Sequence, residues 1–123
     1  MANPNIVAVT NIVGNTLSAA VLTTATQLAS NAASSGKVFK INSIVIANID
    51  GTSAADVTVN IYSAAALGGT GSAIASTISV PADASLIVTD KTTAFYLLED
   101  RSIGALASAA GDLVATISFE EIT

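Results

Sequence analysis

Residues 37–63, KVFKINSIVIANIDGTSAADVTVNIYS, constrain the fold more than any other stretch of the chain. Val57, Val59 and Ile61 alternate with Thr58, Asn60 and Tyr62, a period of two that marks a β-strand with one buried face. The preceding run is apolar on both sides. Strict alternation puts Phe39, Ile41, Val45 and Ala47 on one face and Ile44 and Ile46 on the other. A strand apolar on both faces must be covered on both. Between the two strands, residues 48–56 carry the Asp, Gly, Ser and Thr of a turn. The expectation is a β-sandwich whose sheets have more apolar surface than one copy can hide.

The rest of the chain supports an all-β reading. At 123 residues it has the size of one domain and can form a two-sheet sandwich, which needs about 100 residues. After a polar lead-in over residues 1–5, strands are expected at 6–13, 16–24 and 26–30, with Gly14-Asn15 as a break. A helix over 17–28 competes, but Thr23, Thr24 and Thr26 disfavour it. Residues 31–36 (NAASSG) form a turn, and the Gly-rich residues 64–72 read as a mobile loop. Further strands are expected at 74–80, with Ile74, Ile78 and Val80 in phase, then around 86–88 and at 93–98. Residues 103–108 and 113–120 form a last hairpin in which Leu113, Ala115, Ile117 and Phe119 point inward. Turn signals recur roughly every 8–12 residues, as in a sandwich or barrel. The fold expected is a single-domain antiparallel β-sandwich, jelly-roll or Ig-like, with about 8 strands.

Composition narrows the partners. Only 11% of residues are charged, against about 25% in an average soluble protein, while 51% are hydrophobic. Few charges are left to keep copies apart, so burial against other chains is expected. The net charge of −5 and the four cations Lys37, Lys40, Lys91 and Arg101 argue against direct nucleic-acid binding. Apolar runs are far shorter than the ~18 residues of a membrane span, and no signal-peptide pattern opens the chain. No redox reading is possible without cysteine.

The chain has neither His nor Cys. Imidazole bases, thiol nucleophiles, Ser-His-Asp triads and His-bearing zinc sites are therefore excluded. Adjacent carboxylates at Glu99-Asp100 and Glu120-Glu121 point to opposite faces of a strand, so they read as exposed turn and strand-end charges. Asp50, Ser53 and Asp56 could offer oxygens to calcium, but their spacing does not match an EF-hand and Asp50-Gly51 is a turn dipeptide. The Gly-rich loop lacks the helix start and Lys of a phosphate cradle. No cofactor, metal or catalytic residue is expected, and the chain is read as not an enzyme. Phe39 and Phe119 read as core. The candidate interface residues are Ile44, Ile46, Tyr62, Leu22 and Tyr96, each on a strand face turned away from the main apolar set.

Several segments together resemble a group of small β-sandwich virion proteins of tailed bacteriophages, notably those of marine cyanobacteria. They are Gly36 to Ile44, Ala47-Asn48 with the Asp-Gly turn, 57–62, Val80-Pro81-Ala82-Asp83, Phe95-Tyr96-Leu97-Leu98-Glu99-Asp100 and the ending from Gly111. Members often carry Gly-Asp where Asp100-Arg101-Ser102 stands here. The resemblance implies a virion structural protein, and the apolar strands and low charge, which suit burial across subunit junctions, lead to the expectation of a capsid decoration or cement protein on the outer surface of the virion, a homotrimer bridging major capsid protein subunits. A neck, tail or fibre component of the same virion is the alternative, and a free calcium- or glycan-binding module is a third reading from a different class.

Overall fold

The computed structural model describes residues 4–123; the first three residues of the expected lead-in lie outside them. Nine strands form: β1 (Ile12–Ala20), β2 (Thr26–Asn31), β3 (Val38–Asn48), β4 (Ala55–Tyr62), β5 (Gly71–Val80), β6 (Ser85–Thr89), β7 (Phe95–Leu97), β8 (Arg101–Ala107) and β9 (Leu113–Ile122). A 3-10 turn at Lys91–Thr93 separates β6 from β7. One sheet has the order β1-β9-β3-β6, with β7 pairing β3 beside β6, and the other has the order β2-β8-β4-β5. All pairings are antiparallel.

The pairings nest. β4 pairs β5, β3 pairs β6, β2 pairs β8 and β1 pairs β9. The chain thus behaves as one long hairpin with its tip between β4 and β5, and successive pairs go to alternate sheets. That wrapping is a jelly roll, and it decides between the two sandwich types the sequence left open. The core lies between the sheets. Its fully buried large side chains include Ile41, Ile44 and Ile46 of β3, Val57 and Val59 of β4, and Ile103, Leu113 and Ile117 of β8 and β9. The rings of Phe39 and Phe119 stack 5.1 Å apart at one end, with Phe39 buried and Phe119 partly so.

The division of apolar residues expected between the two faces of β3 is not the one observed. Against β9, Ile41 pairs Phe119 and Ser43 pairs Ser118, so Asn42 is an extra residue in a β-bulge. One inserted residue reverses the alternation. Phe39 and Ile41 before the bulge, and Ile44 and Ile46 after it, all point into the same core, where Ile44 and Ile46 are 0% exposed. Val45 and Ala47 take the outer face and are only half-buried. Ile44 and Ile46 are therefore core residues of one chain and cannot be interface residues.

Three further expectations change. Residues 6–10 form turns rather than a strand, and β1 runs straight through Gly14-Asn15. β9 supplies an unbroken partner from Ile122 to Val114, and that ladder outweighs the local turn chemistry of Gly-Asn. The expected 16–24 strand ends at Ala20, because the chain changes sheets there. Val21 N–H still bonds Leu113 O of the first sheet, whereas Leu22 O accepts from Ala107 N–H of the second. In β5, two bulges opposite Val57–Asn60 take Ile74 out of phase, while Ile78 and Val80 stay in register opposite Val57 and Ala55. Val80 is buried, but Ile74 and Ile78 are each 40% exposed.

Two buried asparagines tie the ends of β3 to the other sheet. Asn31 Nδ2 donates to Lys37 O and Leu97 O, and its Oδ1 accepts from Ser35 Oγ. Asn48 Nδ2 donates to Ser53 O and Val80 O, and its Oδ1 accepts from Asp50 N–H. Each amide satisfies carbonyls that the ends of the ladders leave open.

Candidate interaction surface

The three remaining interface candidates lie far apart in the fold and do not form one patch. Leu22 sits at the crossing between the sheets, 51% exposed. Tyr96 is 45% exposed on β7. With Leu98, Val38, Pro4 and Ile6 it lines an open apolar hollow of about 220 Å³.

Tyr62 is committed to its own chain. A Cβ on Gly104 would stand 3.1 Å from Tyr62 Cε2 and 2.8 Å from Leu67 Cδ2, and one on Gly71 would stand 3.1 Å from Tyr62 Cε1. The ring therefore lies over two glycines on the outer face of the second sheet. Gly104 is the residue that lets the ring and the following loop approach the strand so closely.

That loop is anchored rather than mobile. Ala65 N–H donates to Asp100 Oδ1, Ala66 N–H to Ser30 Oγ and Leu67 N–H to Ser102 Oγ. Ser102 Oγ in turn donates to Ala64 O. Three consecutive amides are thus captured by side chains of the β7–β8 turn, of β2 and of β8. This capture holds Ala66 and Leu67 at φ 56 and 61, in the left-handed region that such residues seldom occupy. Asp100-Arg101-Ser102, which departs from the Gly-Asp of the resembled proteins, is the segment that fastens the loop. Arg101 Nη1 donates to Ser63 O and Asp100 O. Glu99, expected as an exposed turn charge, is only 7% exposed.

The carboxylates do not converge. Asp50 Oδ1 accepts from Thr52 N–H and Oγ1, and these bonds, the backbone one foremost, hold its pKa below the ordinary 3.8. Asp90 caps the 3-10 turn and is lowered in the same way, chiefly by the Thr92 hydroxyl and then by its N–H. Glu121 bonds Lys37 Nζ at 3.0 Å and Asn15 Nδ2. Among the described residues no group of three or more His, Cys, Asp or Glu could hold a metal ion. Asp50, Ser53 and Asp56 remain parts of a turn and a strand start.

Residue-by-residue reading missed the free edge of β1. β1 hydrogen-bonds β9 along nine consecutive registered positions without a bulge, and it is exposed on both faces; Ile12, Val13 and Leu17 are 53%, 46% and 45% exposed. The ladder's phase is fixed at both ends. Asn11 and Thr123 exchange both backbone bonds, and Val21 N–H bonds Leu113 O. Bonded pairs alternate in an antiparallel ladder, so residues 13, 15, 17 and 19 also face β9. Ile12, Gly14, Thr16, Ser18 and Ala20 turn their N–H and C=O away from it, to the free side. Edge strands are normally guarded by Lys, Pro, bulges or brevity. β1 has none of these. The signal was available in the sequence, whose first charged side chain is Lys37.

The other sheet edges are guarded. β5 carries two bulges and a left-handed Thr77 at φ 50, β2 is six residues long with a bulge at Leu28, and β6 has five residues.

No family model matches the sequence, and neither does any curated protein. Among solved structures the chain is similar to a chain from the disulfide-linked pili of Bacillus endospore appendages. The identity is 20%, the TM-score is 0.54, and the match covers 100% of this chain and 94% of that one. At that identity the likeness establishes the two-sheet fold alone.

Proposed function

We propose that this chain is a non-enzymatic structural protein of a tailed-phage virion, a decoration or cement protein that reinforces the capsid by bridging major capsid protein subunits. One observation carries the reading: large apolar side chains stay exposed on a surface with very few charges. Ile12, Val13, Leu17, Leu22, Ile87 and Tyr96 are each 45% exposed or more in a chain with thirteen formal charges, four basic and nine acidic. Each Å² of such surface removed from water contributes roughly 25 cal/mol. A protein that binds across subunit junctions of the assembled shell, and not to dissociated subunits, stabilises the shell by mass action. The sequence resemblance supplies the virion setting, and the jelly-roll topology is compatible with it, since capsid domains use the same wrapping. Fold alone assigns no function, so the weight rests on the surface.

A second reading places the chain in a neck, tail or fibre. The likeness to a pilus protein favours it, because a related wrapping there belongs to a fibre. The present chain has no cysteine, so any fibre it built would hold without disulfides.

Copy number separates the two. Quantitative protein staining or cryo-EM of purified particles is expected to find hundreds of copies on the shell, and purified protein is expected to rebind shells stripped of it and to raise their disruption temperature. A dozen copies or fewer would move the chain to the neck or tail. A protein that never binds particles would end both readings.

A further inference from the structure

We propose that the free edge of β1 pairs with β1 of a second copy, antiparallel about a two-fold axis through Thr16, joining the two first sheets into one. The inference concerns the chain alone in solution and does not depend on the virion reading.

The groups offered by the edge are symmetric about Thr16. Ile12, Gly14, Thr16, Ser18 and Ala20 present their N–H and C=O outward, as the phase of the β1–β9 ladder requires. The register that uses all of them sets Ile12 against Ala20, Gly14 against Ser18 and Thr16 against its own copy. In that register Ile12 meets Ala20 and Val13 meets Ala19, while Leu17 faces Asn15. Inward-facing Leu17 and Val13, 45% and 46% exposed, then gain a continuous neighbour strand.

Electrostatics favours a second copy as the occupant. The chain's net charge of −5 opposes self-association in general. β1 itself is uncharged, and the nearest acids, Glu120 and Glu121, lie on β9. Strands in a sheet are about 4.8 Å apart, so β9 and its copy would be separated by about 14 Å, beyond the Debye length at physiological salt. A basic partner strand would find only Glu121 against this edge, and Lys37 of the same chain already pairs with it. An isologous contact of this kind closes at two copies, not at the three expected of a cement trimer.

Sedimentation of the full chain across a concentration series tests the proposal. The wild type is expected to show a monomer–dimer equilibrium. Thr16→Lys places like charges directly opposite one another and is expected to weaken the dimer roughly tenfold or more. Thr16 is exposed and its backbone does not bond β9, so at dilutions where both are monomeric the variant's melting temperature should match the wild type. Thr16→Glu alone should also be monomeric, and an equimolar mixture of the Lys and Glu variants should recover a two-copy mass. Should Thr16→Lys fail to fold, amide exchange on the wild type replaces it, with protection rising with concentration at residues 14, 16 and 18 but not at 13, 15 and 17. A wild type that stays monomeric up to ~1 mM, where only a free energy of about −4 kcal/mol is needed, would overturn the proposal. So would a trimer, a dimer indifferent to Thr16→Lys, or charge variants that fail to pair.

Discussion

β1 and β3 flank the same strand. Both run antiparallel to β9 over most of its length, at Ile12–Ala20 on one side and Val38–Asn48 on the other. Both are rich in Ile, Val and Ala. Yet Ile41, Ile44 and Ile46 of β3 are 0% exposed, while Ile12 and Leu17 of β1 are about half exposed. The difference lies in what stands beyond them. β3 has β6 and β7 on its far edge, whereas β1 has no strand on its far edge. Composition does not make a strand central; its neighbours do. One of the two flanks of β9 is finished inside the chain, and the other is left for something else to finish.

The sharpest way to break this contrast is to remove the residue that aims β3. Deleting Asn42 restores strict alternation and forces either Phe39 and Ile41 or Ile44 and Ile46 out of the core. With about 1.5–3 kcal/mol for each large side chain, the loss should exceed about 3 kcal/mol, and cooperative unfolding should weaken or vanish. A deletion variant with an unchanged denaturation midpoint would show that the bulge does not set the register.

Point truncations grade the two strands against each other. Ile44→Ala is expected to cost about 2–5 kcal/mol in urea unfolding, as for other buried large-to-small changes. Leu17→Ala should stay within about 0.5 kcal/mol in the monomer, as a surface change does. Equal costs would erase the distinction drawn here.

Asn48→Ala leaves the carbonyls of Ser53 and Val80 without their donor at the end of β3. A loss of about 1–3 kcal/mol is expected, and no comparable residue ends β1. A smaller effect belongs to Glu121, which links Lys37 beside β3 to Asn15 on β1. The Lys37–Glu121 pair is 43% and 26% exposed. Glu121→Gln should therefore cost under about 1 kcal/mol, and added salt should shrink the difference further.

The smallest effect is the response to acid. Asp50 and Asp90 have folded pKa values below the ordinary 3.8, so their contribution is present above 3.8 and is lost as pH falls through the lowered values. Thermal melts between pH 5 and pH 2 should show Asp90→Asn to be less acid-sensitive than the wild type. A steeper acid loss in the variant would contradict the capping role.

Much of this was legible in the residues. The alternation at Val57, Val59 and Ile61 and at Leu113, Ala115 and Ile117 identified β4 and β9 and their inward faces, because a period of two survives wherever no bulge interrupts it. The turn at 31–36 and the loop at 64–72 were legible as loops, although Asn31 closes β2 and Gly71 and Ser72 open β5. The anchoring of the second was not, because its acceptors, Ser30, Asp100 and Ser102, come from distant strands. Of the interface candidates, Leu22 and Tyr96 stay exposed, Tyr62 packs over Gly104 and Gly71, and Ile44 and Ile46 lie in the core.

By itself the sequence determined the class: short β-branched runs, turn residues between them and no helical period leave only a two-sheet architecture. It also determined that the surface would be poor in charge. Only the tertiary structure decided which residues that surface contains. A strand's two faces are distinguished by parity alone, and one bulged residue contributed by pairing with β9 reverses that parity for everything after it.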